Sequence, residues 1–199
     1  YPFGMTTDGT NLYVADNGNS LIRKIVIDNG TVTTLAGTGS VGSSNGTGTS
    51  ASFSRAQGIT TDGTNLYVAD TNNHMIRKIV ISTRVVTTLA GSAGSTGTTD
   101  ATGTSARFNG PFGMTTDGTN LYVADTFNEL IRKIVISTGV VTTLAGTGSA
   151  GSSNGTGTSA SFDGPIGITT DGTNLYVAEM DNHLIRKIVI STGVVTTVA

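Results

Sequence analysis

The chain has 199 residues, of which 36% are apolar and only 12% charged, with a net charge of −2 and no cysteine. That balance excludes a general attraction for nucleic acid or for anionic membrane surfaces, and the missing cysteines exclude disulfides and thiolate metal sites. No apolar run approaches the roughly 18 residues of a membrane-spanning helix, so no membrane insertion is expected.

With so few charges the polar surface has to be built from Thr, Ser, Asn and Gly, a composition that suits an extracellular or cell-surface protein. The chain opens on Tyr1-Pro2-Phe3-Gly4 without an initiator Met, in the middle of a repeat, as a processed or excised segment would.

The first predicted strand, a, covers Phe3 to Thr7. Asp8-Gly9-Thr10-Asn11 follows, an Asp-Gly hairpin turn. Strand b is Leu12 to Ala15 and strand c is Leu21 to Ile27. Asp28-Asn29-Gly30 makes a second tight turn, and strand d is Val32 to Ala36. These strands are filled with Val, Ile, Thr, Tyr and Leu, the residues that pleated, half-buried surfaces favour.

The pattern then repeats. Gly-Met/Ile-Thr-Thr-Asp-Gly-Thr-Asn-Leu-Tyr-Val-Ala-Asp/Glu begins at Gly4, Gly58, Gly113 and Gly167, at spacings of 54, 55 and 54 residues. The repeats occupy about 1–37, 54–91, 109–146 and 163–199 of a single domain, joined by Gly/Ser/Thr-rich linkers. Copies one and three share Met5 and Met114, whereas copies two and four share Ile59 and Ile168. The linkers after copies one and three differ, from Gly37 to Phe53 and Gly146 to Phe162, only at Val41/Ala150. The unit of duplication is therefore a pair of repeats.

Strand c is apolar on both faces: Ile22 and Val26 lie on one, Leu21, Ile25 and Ile27 on the other. Both faces must be covered, which a sheet stacked between two like sheets achieves. Four-stranded meanders repeated at this length predict an all-β β-propeller of four-stranded antiparallel blades, with four blades in this chain. They form a closed four-bladed ring, half of an eight-bladed ring completed by a second chain, or an arc of a longer array. A ring, closed within one chain or between two, is expected, because an open arc leaves two apolar sheet faces in water.

Leu-Tyr-Val-Ala-Asp, the following Asn, Ile-Arg-Lys-Ile, and Phe108-Asn109-Gly110-Pro111-Phe112-Gly113 together resemble the NHL-repeat β-propeller family. The matching residues are Asp16, Asn19 and Arg23; Asp70, Asn73 and Arg77; Asp125, Asn128 and Arg132; and Asn182 and Arg186, with Glu179 in place of Asp. The resemblance implies the fold and leaves the function open, since the family includes sensor domains, RNA- and protein-binding modules and a few enzymes. Family propellers usually have six blades.

Candidate chemistry is sparse. Asp8, Asp62, Asp117 and Asp171 are read as the acidic residues of their own turns and not as calcium ligands. The Asp-Arg positions read as a pair joining strands b and c in each blade, in preference to a charged ring for an anionic ligand. His74 and His183, the only histidines, occupy one position in copies two and four, where Ser20 and Glu129 stand in the others. They read as loop residues multiplied by duplication.

The copies differ most in the b–c turn, which shares one side of the blade with the linkers. Loops on a rigid scaffold are the usual place for function. Candidate contacts are therefore Asn17, Ser20, Asn72, His74, Phe127, Glu129, Met180, Asp181 and His183, with Phe127 and Met180 the apolar exceptions in polar turns. Near-identical blades present the same side chain several times, which suits binding more than an asymmetric catalytic centre. The expectation is a non-enzymatic binding or assembly scaffold, without cofactor or metal. It recognises a protein or glycan, or self-associates as a homo-oligomer, through the b–c face. The alternative is a metal-dependent propeller enzyme of lactonase or lyase type, which needs ligands near the axis. Strand a offers only Gly, Met/Ile and Thr there.

Overall fold

A computed structural model describes all of residues 1–199. Blade one is the sheet β1 (Pro2–Thr7), β2 (Asn11–Asp16), β3 (Leu21–Val26) and β4 (Val32–Ala36), hydrogen-bonded in that order. The linker then forms β5 (Gly46–Thr47). Blade two follows as β6 (Ala56–Thr61), β7 (Asn65–Asp70), β8 (Met75–Val80) and β9 (Val85–Gly91). Blade three is β10 (Pro111–Thr116), β11 (Asn120–Asp125), β12 (Leu130–Val135) and β13 (Val141–Ala145). After β14 (Gly155–Thr156), blade four is β15 (Pro165–Thr170), β16 (Asn174–Glu179), β17 (Leu184–Val189) and β18 (Val194–Thr197).

The tight turns are built from their own side chains. Asp8 Oδ1 accepts the backbone N–H groups of Thr10 and Asn11, and Oδ2 accepts the Asn11 amide and the Tyr13 hydroxyl. Burial pulls this carboxyl up, but those four donors outweigh it and hold Asp8 below the usual carboxylate range. The same bonds recur at Asp62, Asp117 and Asp171.

The linkers do more than join blades. β5 lies antiparallel along β9, Gly46 opposite Val86, so the segment leaving blade one becomes a fifth, outermost strand of blade two. β14 does the same for blade four, and Thr102 bridges to Val140 in blade three. Each linker therefore belongs structurally to the blade that follows it. Gly46 and Thr47 lack the alternation that marks the main strands, which is why sequence places them in a loop.

Three apolar seams join the blades. In the first, Tyr13, Ala15, Ile22 and Leu35 from the front of blade one meet Leu66, Val68, Ile79 and Val86 from the back of blade two. Ala51 and Phe53 of the linker are sealed between them. The other two seams use the equivalent residues. Along the axis, inner strand packs on inner strand. A methyl group added to Gly4 would overlap the carbonyl of Gln57, one on Gly58 that of Phe112, and one on Gly113 that of Ile166.

Gly167 breaks this series, its nearest neighbour being Ala178 Cβ at 3.4 Å from where a methyl would stand. The four blades form an open arc. A four-bladed ring closed on itself, one of the two expected outcomes, is not formed. Three seams of fixed geometry do not bring the back of blade one round to the front of blade four. Met5 is 63% exposed at one end and Ile185 40% at the other.

Candidate functional site: an apolar axial cleft beside the variable turns

Each inner strand carries a β-bulge near its start. In blade one Pro2 pairs with Asp16 and Met5 with Val14, so Phe3 and Gly4 together oppose the single Ala15. Bulges of this kind re-aim a side chain. Here they turn Phe3, Gln57, Phe112 and Ile166 toward the axis, each immediately before the close-packed glycine.

These four residues line a cleft of about 430 Å³ that is completed by Phe127 and Met180. Phe3 and Phe112 meet edge to face across blade two, their ring centres 5.2 Å apart. Phe3, Phe127 and Met180 each leave half or more of their surface exposed. Its polar side chains are Thr126, whose Oγ1 donates to the Pro165 carbonyl, and Gln57, whose Oε1 is buried without a hydrogen-bond partner. A ligand entering this cleft meets apolar surface and one waiting acceptor. No titratable side chain lines it.

Of the strand-a residues expected at the axis, Gly4, Gly58, Gly113 and Gly167 do line the cleft, whereas the Met/Ile positions are elsewhere. Ile59 and Met114 are buried in the seams, Ile168 packs against the third, and Met5 lies on the open back of blade one. The axial set was missed, although it carried a signal: the residue before each repeat glycine is Phe, Gln, Phe or Ile, a position that varies beside a nearly constant stretch.

The predicted b–c turns are single 3₁₀ turns, Asn17–Asn19, Thr71–Asn73 and Thr126–Asn128, with Met180–His183 in the same place. They do share a side with the linkers, since Asn73, Asn128 and Asn182 donate to the carbonyls of Gly42, Gly97 and Gly151. Of the nine candidates, only Phe127 and Met180 reach the cleft.

Several others tie blades together. Asn17 donates to the Ala56 carbonyl at 3.2 Å. His74 Nδ1 accepts the Gly110 N–H at 3.0 Å, and Glu129 accepts that of Gly164 at 2.8 Å. His74 and Glu129 thus do one task in two blades, each holding the linker of the next. Burial keeps the His74 imidazole below its usual range and pushes the Glu129 carboxyl up. Ser20 is buried at the left-handed end of its turn. Asn72, Asp181 and His183 are exposed.

The Asp-Arg pairs form in three blades. Arg77 meets Asp70 at 2.9 Å, Arg132 meets Asp125 at 2.8 Å and Arg186 meets Glu179 at 2.7 Å, all fully buried. Blade one departs from expectation. Asp16 takes both its bonds from Asn19, and Arg23 donates to Thr34. The cause is the linker. Arg77 also donates to the carbonyls of Ser52 and Ser44 and lies 5.2 Å from the centre of the Phe53 ring. Blade one has no such segment over it. No three His, Cys, Asp or Glu side chains converge anywhere in the chain.

No family model matches the chain. Human NHL repeat-containing protein 2 is 34% identical over 144 residues, covering 67% of this chain and 20% of that protein. A solved protein of unknown function from Bacteroides thetaiotaomicron superposes with a TM-score of 0.77 at 27% identity, over 94% of this chain and 46% of its own. An auxiliary nutrient binding protein from Bacteroides ovatus gives 0.76 at 20% identity, over 100% and 48%. The chain thus spans about a fifth of the curated relative and under half of either solved chain.

Proposed function

We propose that this chain, whose blades are NHL repeats of the β-propeller family, is a non-enzymatic binding scaffold that holds an apolar side chain of a protein ligand in the axial cleft. The observation that carries this reading is the convergence of Phe3, Phe112, Ile166, Phe127 and Met180 on one open cleft with the unpartnered Gln57 Oε1 among them. Exposed, grouped apolar residues of this kind mark contact surfaces. The lining supplies shape and contact and no proton donor or acceptor that titrates near neutrality.

A protein ligand is favoured over a glycan because one amide is too little hydrogen bonding for a sugar ring. The likeness to an auxiliary nutrient binding protein supports a binding role in general terms. The Thr-, Ser- and Asn-rich composition supports, in this proposal, a partner met outside the cell or on its surface.

The test is selection of a random peptide phage library on the purified chain, beside a glycan array. Enriched peptides sharing an apolar anchor, and losing binding to a Phe127→Ser, Met180→Ser double variant, support the reading. Peptides indifferent to that variant, or retention of glycans alone, overturn it.

A further inference from the structure

The junctions between blades are built alike but not charged alike. Between blades three and four, Glu129 Oε2 accepts the Gly164 N–H at 2.8 Å. Asp163 stands just before that glycine, and Asp181 folds over it, so that a methyl on Gly164 would meet Asp181 Oδ2. Between blades two and three the same three places are held by His74, Asn109 and Phe127. Between blades one and two they are held by Ser20, Ser54 and Asn72, with Arg55 in the place of the glycine. The fold therefore needs no carboxylate at any of these places, yet this one junction carries three.

None of the three has a cationic partner. The ion pairs of the chain are those of Arg77, Arg132 and Arg186, and they use Asp70, Asp100, Asp125 and Glu179. Burial and the negative charges of Asp163, Asp181 and Glu179 push the Glu129 carboxyl up, against one lowering bond from Gly164. The carboxylates are spread too widely to chelate a metal ion, and form instead a broad negative rim.

The rim adjoins the axial cleft. Met180 lines the cleft and is followed in the same turn by Asp181, while Phe127 lines it from blade three, two residues before Glu129. The junction is internal, with a blade seated on either side. Asp181 holds on blade four the place that Phe127 holds on blade three. Phe127 is 67% exposed although blade four follows it, so this place is open in a blade flanked on both sides.

We propose that the occupant of the axial cleft is a protein segment whose apolar anchor is flanked by Arg or Lys, the cation lying against Glu129, Asp163 and Asp181. This rests on the reading of the cleft as a protein-binding site and adds the charge of the ligand to it. The cleft lining is uncharged, so it accepts an apolar anchor whatever stands beside it. The rim discriminates: a basic neighbour meets three unpaired carboxylates, and an acidic neighbour meets like charge. Arg suits the rim better than Lys, because a planar guanidinium can bridge two separate carboxylates. Pairs at an open rim are individually weak and are screened by salt, so the rim governs selectivity more than affinity.

An array of short synthetic peptides tests this against the intact 199-residue chain. Each peptide carries one Phe, Trp, Leu or Met in a Gly/Ser background, with Arg, Gln or Glu beside it, and the retained peptides are titrated by fluorescence anisotropy. Arg-flanked peptides are expected to bind about three- to tenfold tighter than their Gln-flanked counterparts at low salt, and Glu-flanked ones more weakly than either. The margin narrows at high salt. In an Asp163→Asn, Asp181→Asn double variant, which retains the Glu129 tie to Gly164, the Arg advantage shrinks. Asp181→Asn alone, at an exposed position, shrinks it in part. The advantage is a ratio taken within one protein sample, so a partial folding defect cannot imitate its loss. Asp28→Asn, exposed in the c–d turn of blade one, leaves the ratio unchanged.

Anchored peptides that bind equally well with Arg, Gln or Glu overturn the proposal and leave the cleft reading standing. So does an Arg advantage undiminished in the double variant, or one lost equally with Asp28→Asn. An array in which no anchored peptide is held above the Gly/Ser background overturns both.

Discussion

Gly58 and Phe112 lie so close that no side chain fits between them: a methyl on the glycine would overlap the carbonyl oxygen of the other residue. The contact belongs to neighbouring inner strands and sets how near two blades approach at the axis.

Alanine at Gly58 or Gly113 therefore has to push two backbones apart, at a cost of about 1–3 kcal/mol for overpacking against a rigid neighbour. Alanine at Gly167, with 3.4 Å to its nearest neighbour, stays within about 0.5 kcal/mol of the parent. Urea denaturation of the three variants checks this. Equal losses at all three positions would contradict the open arc.

Arg77→Ala leaves Asp70 buried without its partner and strips Phe53 of its stacked cation, so it destabilises by about 3–5 kcal/mol. Arg23→Ala removes one bond from a half-exposed side chain and changes stability by under about 0.5 kcal/mol. Thermal melts of the pair distinguish them. Similar melting points would show that the linker does not decide the strength of the clamp.

His74 contributes a pH dependence of definite sign. Its folded imidazole titrates below the unfolded one, because burial disfavours the charge and the Gly110 N–H needs an unprotonated Nδ1. The unfolded chain therefore takes up the proton first, and this contribution to stability is fully present above the ordinary imidazole value of about 6.5 and is lost as pH falls from there through the lower folded value. His74→Gln keeps an acceptor and removes the titration. Melting temperatures between pH 7 and 5 should fall more steeply for the parent than for the variant, and parallel curves would refute the assignment.

Arg84 occupies a turn position with φ of +58° where the other copies have Gly30, Gly139 and Gly193, all at positive φ. A side chain there is strained by about 1–2 kcal/mol, partly offset by the freedom glycine loses on folding. Arg84→Gly should raise stability by up to about 1 kcal/mol in a denaturant titration. A loss would mean that the arginine makes a contact worth more than its strain.

The strands and turns were legible because each is written four times, with alternation and an Asp-Gly signal that local chemistry enforces. The pairing of Asp70 with Arg77 was legible for the same reason. Its dependence on Phe53 and Ser52 was not, since these stand some 25 residues away in a segment without periodicity. Phe127 and Met180 were picked out as apolar residues in polar turns, and they do line the cleft. Their partners Phe3, Gln57, Phe112 and Ile166 escaped notice because only the bulge turns them to the axis, and a bulge leaves no mark on alternation. His74 and Glu129 looked like surface variety and are instead inter-blade ties, a relation visible only once Gly110 and Gly164 are placed opposite them.

Every seam uses equivalent residues on its two sides, with a linker Ala and Phe sealed between them. A crossover between misaligned copies of the gene therefore inserts or deletes a whole blade while the apolar residues that meet at each seam stay of the same kind. Blade number in such a molecule is inherited as a count and not as a set of dedicated interfaces, and a lineage can change it in a single genetic event while each surviving seam keeps its apolar contacts.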